Sequence, residues 1–166
     1  WEERQSQLCG PWSYQQPSFS LEEYGVGTDV IGVICIPKLQ LEMPIYLGAT
    51  AENMAKGAVH LSQTSLPIGG MNTNCVLAGH RGYNGAAYFR YITDLEIGDT
   101  VTITNLWETL TYSVVDTEII DPTDIQKILI QENHERLTLL TCHPYASGGR
   151  QRYVVYCERN KEMEEM

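Results

Sequence analysis

Leu137-Thr138-Leu139-Leu140-Thr141-Cys142 runs directly into His143-Pro144. The first six residues have the composition of a strand, and the proline ends it, because proline biases the residue before it toward extended backbone and cannot donate to a ladder. A thiol at such a terminus faces a loop. It is held by the sheet and is still reachable, which is where a nucleophile is useful.

Working outward, Val30 to Ile36, Pro44 to Leu47, Thr73 to Ala78, Thr100 to Thr104, Leu110 to Ile120 and Gln151 to Cys157 are further β-branched and aromatic runs bounded by turn formers. Helical pattern is short. Thr50 is placed to cap a turn through Ala51 to Lys56, with Glu52 in its first turn. A turn or two is expected over Gly85 to Ile92, and Asp121-Pro122 starts another, since proline at the first helical position gives up no needed bond. Many short strands with few helices predict a mainly β fold, a barrel or a sandwich. Residues 1–27 lack periodicity and read as an N-terminal arm, 28–160 as the folded domain, and 161–166 as a charged tail.

The length of 166 residues suits one domain, and 43% hydrophobic with 19% charged residues is an ordinary globular balance. Eleven Lys plus Arg against 21 Asp plus Glu give a net charge of −10, which repels phosphate backbones and anionic membrane surfaces. Nucleic acid is therefore not an expected partner, whereas a cationic, lysine-bearing protein suits the field. The sequence starts at Trp1 and holds no run of about 18 apolar residues able to span a bilayer. It reads as a soluble piece, with any signal peptide or membrane anchor of the parent gene lying outside it. Five cysteines, Cys9, Cys35, Cys75, Cys142 and Cys157, show neither disulfide-scaffold nor metal-pair spacing. Cys35 and Cys157, in apolar runs, are expected to be buried inert thiols.

A cysteine attacks as thiolate, and a free thiol with its pKa of about 8.5 is mostly protonated at neutral pH. It needs a base or cation. Of the four histidines, His143 neighbours Cys142 on an extended strand and so points to the opposite face. His134 lies in the polar stretch Gln131-Glu132-Asn133-His134-Glu135, which suits a solvated turn, and His60 is the remaining alternative. His80 follows the strand-like Cys75-Val76-Leu77-Ala78-Gly79 and precedes Arg81-Gly82, which makes it the best local candidate, although a lone histidine there is more often structural. Arg150 and Arg152 flank Gln151 at the start of the last strand. Either could reach an oxyanion or a peptide carbonyl near Cys142, and either could equally form a surface ion pair.

Together these segments resemble the sortase family. Thr138-Leu139-Leu140-Thr141-Cys142, with Arg152 ten residues after the cysteine, is similar to that family's Thr-Leu-x-Thr-Cys strand and downstream arginine, and Gly79-His80-Arg81-Gly82 is similar to its histidine segment. Ile31 to Lys38, Pro44-Ile45-Tyr46, His60-Leu61 and Thr64 to Gly70 resemble the pilus-assembling class C members. The resemblance implies an eight-stranded β-barrel needing no cofactor. It implies Cys142 as nucleophile, His80 as acid and base, Arg152 as oxyanion and backbone clamp, and Thr141 and Arg150 as supporting residues. Arg152 is preferred over Arg150 because Tyr153 to Arg159 parallels the family's arginine-led final strand. The implied partners are pilin subunits carrying a C-terminal sorting signal and an acceptor lysine, met at the extracellular face of a Gram-positive cell membrane. The class C lid motif, Asp-Pro-aromatic, is missing from the arm, whose Gly10-Pro11-Trp12 is at most a degenerate form. Anchoring to cell-wall peptide, a non-catalytic barrel, and a zinc site of Cys142, His80 and His143 remain as other readings, the last against the four ligands structural zinc takes.

Overall fold

Alternation along the strands decides which side chains fill the interior. On the last two strands, Leu137, Leu139, Val155 and Cys157 belong to the main buried cluster, while Leu140, Val154 and Tyr156 pack in a second, smaller cluster. Residues of odd number therefore point in and those of even number point out on both strands, as period-two geometry requires.

The computed structural model describes residues 30–61, 64–81, 87–105, 107–130, 133–143 and 150–160. The described residues form eight strands: β1 Val30–Ile36, β2 Leu41–Leu47, β3 Ala58–His60, β4 Thr73–Ala78, β5 Thr100–Thr104, β6 Thr109–Ile120, β7 Glu135–His143 and β8 Gln151–Arg159. They close into a barrel in the order β1-β2-β3-β4-β7-β8-β6-β5. The fold is thus mainly β, and among the described residues closure leaves no open edge strand. Pairing is antiparallel except between β2 and β3 and between β4 and β7, which run parallel.

The interior is filled by branched side chains from every wall, among them Ile34, Ile45, Leu77, Ile103, Leu110 and Leu139, none exposed above 0%. Burying each such side chain contributes about 1.5–3 kcal/mol. On the outside, Ile120, Val154 and Tyr156 pack with Leu140 and Ile128, which pins the segment before β7 against β6, β7 and β8. A buried ion pair anchors the loop before β4. Glu135 accepts from Arg159 Nη1 at 2.5 Å and from Gly70 N at 2.9 Å.

Helix α1, Ala51–Met54, is capped as its sequence predicts, Thr50 Oγ1 accepting from Asn53 N at 3.1 Å. It ends two residues earlier than the expected Lys56. Three sequence expectations need correction. Cys35 is half-exposed, because Ile34 and Ile36 on either side of it take the inward positions. Asp121-Pro122 opens a turn, and the one helical turn there is the 3-10 segment Ile125–Lys127. In Gly85 to Ile92, the described part is a turn leading into a 3-10 helix over Ile92–Asp94, with residues 82–86 outside the described set. The arm at 1–27 and the tail at 161–166 also lie outside it.

Candidate active site

The cysteine strand, the histidine strand and the arginine strand are neighbours in the barrel, in the order β4-β7-β8. Cys142 is paired directly with Arg152 across β7 and β8. Directly opposed residues of an antiparallel pair have Cα atoms about 4.5–5.5 Å apart and project to the same face. The β4–β7 register ends with Ala78 opposite Leu140, and Gly79 N extends it by donating to Leu140 O at 3.1 Å. His80 follows two residues after Ala78, just beyond the end of β4. By alternation Cys142 and Arg152 take the outer side of the barrel. The parity also separates His143 from Cys142, and His143 instead turns its ring to Tyr153, at 5.7 Å between centroids.

Thr141 is 1% exposed, and its Oγ1 donates to Gly79 O at 2.8 Å, which ties the residue before the cysteine to the residue before the histidine. Gly79 must lack a side chain here. A Cβ at that position would lie 2.7 Å from the ring of Phe89, a fully buried residue. The backbone beyond is fixed as well, with Phe89 N donating to His80 O at 2.9 Å. Tyr88 meets the His80 ring edge to face, centroids 6.1 Å apart at 73°. It does so from a left-handed backbone, φ 47°, that few side chains adopt, and its hydroxyl donates to Ala55 O at 2.8 Å.

Arg152 lies at the start of β8 with its Nη1 donating to Gln151 O at 3.1 Å. Arg150 is exposed at a bend two residues before it, ahead of the strand. The remaining histidines are engaged elsewhere. His60 is fully buried on β3 with Nε2 at 2.8 Å from Ser65 O, and His134 bonds Glu158 through Nδ1. Burial pushes the thiols of Cys75 and Cys157 far above the ordinary cysteine range, so neither serves as a nucleophile. Cys142 is half-exposed. Among the described residues, no group of three or more His, Cys, Asp or Glu is gathered to hold a metal ion.

Arg81 is the residue that sequence reasoning passed over. Its guanidinium donates from Nε to Arg90 O at 2.9 Å and from Nη1 to Cys142 O at 3.0 Å, and it approaches His143 Nδ1 at 3.3 Å and Thr93 Oγ1 at 3.4 Å. Its partners lie on segments distant in sequence, so no local pattern marks it.

The fold and the row of strand ends define a closed β-barrel with a half-exposed cysteine, Cys142, on the strand between β4, which leads to His80, and β8, which carries Arg152. Residues 34–160 match the sortase domain family, and the chain belongs to it. Sortase D of Bacillus subtilis (strain 168) is 35% identical over 130 residues, covering 77% of this chain and 63% of that protein. The chain thus spans less than two thirds of that relative's length. Among solved structures, sortase C1 from Streptococcus suis superposes with a TM-score of 0.77 at 39% identity, covering 80% of this chain and 73% of the other. Sortase C2 of the group B Streptococcus pilus island 1 superposes with a TM-score of 0.85 at 32% identity, covering 96% and 92%.

Proposed function

We propose that the chain is a cysteine transpeptidase that cuts a Leu-Pro-x-Thr-Gly-like sorting signal between Thr and Gly and passes the acyl group to a lysine amine of a pilin. The observation that carries this reading is the direct pairing of Cys142 with Arg152, with His80 two residues beyond the end of the adjoining strand β4. The Cys142 thiolate attacks the threonine carbonyl, and the Arg152 guanidinium stabilises the negative charge that develops on its oxygen. His80 gives a proton to the departing glycine amine, leaving a thioester on Cys142. It then takes a proton from the attacking lysine amine as the thioester collapses to an isopeptide bond and the sulfur is released. Thr141 supports the site from beneath, and Arg150, exposed ahead of β8, is a supporting residue.

The pilin acceptor is supported by the pilus origin of one close structural neighbour and by a net charge of −10, which draws a lysine-bearing partner. The reaction belongs at the extracellular face of a Gram-positive cell membrane. Among the described residues no helix is long and apolar enough to cross a membrane.

The test is incubation with a sorting-signal peptide and either a pilin domain or a peptidoglycan-like amine, with adducts read by mass spectrometry. A thioester on Cys142 followed by an isopeptide-linked pilin is expected. The wall-peptide adduct alone would replace the pilin acceptor while keeping the chemistry. Undiminished transfer by Cys142→Ala would leave only a non-catalytic barrel.

A further inference from the structure

We infer that Arg81 is a positioning residue of the transfer reaction, acting through the main-chain carbonyl of Cys142. This rests on Cys142 being the nucleophile. The β4–β7 ladder runs as far as Gly79 N to Leu140 O. In a parallel ladder the next rung from β4 is the N–H two residues on, Arg81, donating to Cys142 O. The Arg81 side chain occupies that place, with Nη1 at 3.0 Å from Cys142 O.

The same guanidinium binds the turn before the 3-10 helix through Arg90 O at 2.9 Å and reaches the helix itself at Thr93 Oγ1, 3.4 Å away. One planar group therefore links the end of the histidine strand, the segment that backs it and the end of the cysteine strand. The carbonyl it holds sits on the peptide that follows the Cys142 Cα. Fixing that peptide fixes, on the side facing β4, the backbone from which Sγ projects, where the β4–β7 ladder no longer does so while the β7–β8 pairing continues. Arg81, the residue after His80, thus ties the end of the histidine segment to the carbonyl of the cysteine.

The task demands arginine. Its acceptors lie in separate directions around the fork, whereas a lysine ammonium presents its donors from a single point. The guanidinium also comes within 3.3 Å of His143 Nδ1, so His143 borders the clamp on the face away from the thiol.

The experiment compares the full chain with Arg81→Met and Arg81→Lys, with Cys142→Ala alongside. Two readouts are taken: kcat and KM for cleavage of a Leu-Pro-x-Thr-Gly peptide, and the rate of iodoacetamide alkylation at Cys142 across neutral pH. For Arg81→Met, kcat is expected to fall about 10- to 100-fold while KM stays within about threefold, the pattern of a misplaced reacting group. Alkylation of Cys142 should slow or change its pH profile, which a tether without influence on the thiol would not do. Arg81→Lys should recover part of the lost kcat. A folded Arg81→Met with native kcat and native alkylation overturns the inference. If that variant does not fold, native kcat in Arg81→Lys overturns the requirement for the fork. Retained cleavage in Cys142→Ala would instead overturn the nucleophile assignment.

Discussion

Replacing Gly79 by alanine tests how tightly the histidine segment is seated. The added Cβ would lie 2.7 Å from Phe89 Cδ2 and 2.8 Å from Cγ. Relaxed carbon contacts sit at about 3.5–4.0 Å, so about 1 Å of overlap must be relieved. The ring cannot swing into solvent, since Phe89 is 0% exposed and its N–H is held by His80 O. Overpacking of this kind costs about 1–3 kcal/mol, against which the lost freedom of glycine in the unfolded chain returns about 0.4–1 kcal/mol. A net loss of about 1–2 kcal/mol lowers Tm by roughly 2–8 °C for a chain of this size. Thermal unfolding of Gly79→Ala, Phe89→Leu and the double variant forms a cycle. Because the smaller residue removes ring atoms that the new methyl strikes, the double variant should be more stable than the sum of the single losses by at least about 0.5 kcal/mol. Strict additivity, or a native Tm for Gly79→Ala, would refute the packing argument. Where the end of β4 yields instead of the ring, His80 moves with it, and kcat should fall further than stability accounts for.

Thr141→Val keeps the shape of the side chain and removes the donor to Gly79 O; it should cost about 1–2 kcal/mol in urea unfolding, with Thr141→Ser restoring most of it. Glu135→Gln strips the charge facing Arg159 in a site where the two side chains are 6% and 13% exposed, and should cost about 3–5 kcal/mol. A loss below about 1 kcal/mol would show that the pair does not anchor the Gly70 loop. In the native protein at neutral pH, iodoacetamide should modify Cys142 and leave Cys75 and Cys157 untouched, because both are buried and their thiols are pushed far up. Peptide mass spectrometry checks this, and native labelling of Cys157 at the rate of Cys142 would contradict its place in the barrel interior.

Much of the architecture was legible because β7 and β8 are dense in β-branched and aromatic residues and their ends are marked by Pro144 and by the glycines before Arg150. Thr50 was readable as a cap for the same reason, its chemistry being local. What depends on pairing was not. β3 is a three-residue strand, too short to carry a pattern of its own, and it exists because β2 and β4 flank it. Cys35 was misjudged because the run from Val30 to Ile36 is apolar at most positions, which hides the face that each residue takes. The two arginines share a parity, so alternation alone does not separate Arg150 from Arg152, whereas the register opposes Arg152 to Cys142. Arg81 escaped notice because its meaning lies in a carbonyl 61 residues away.

The parallel pairing of β4 with β7 brings together strands with all of β5 and β6 between them in the chain. Joining them closes a long loop, a step whose entropic cost is met only as the later strands dock. A ribosome delivers the histidine strand well before the cysteine strand and the arginine strand last of all. Until that strand is in place the emerging polypeptide lacks the full set of strand ends that the proposed transfer requires, and the return of activity during refolding becomes a gauge of barrel completion.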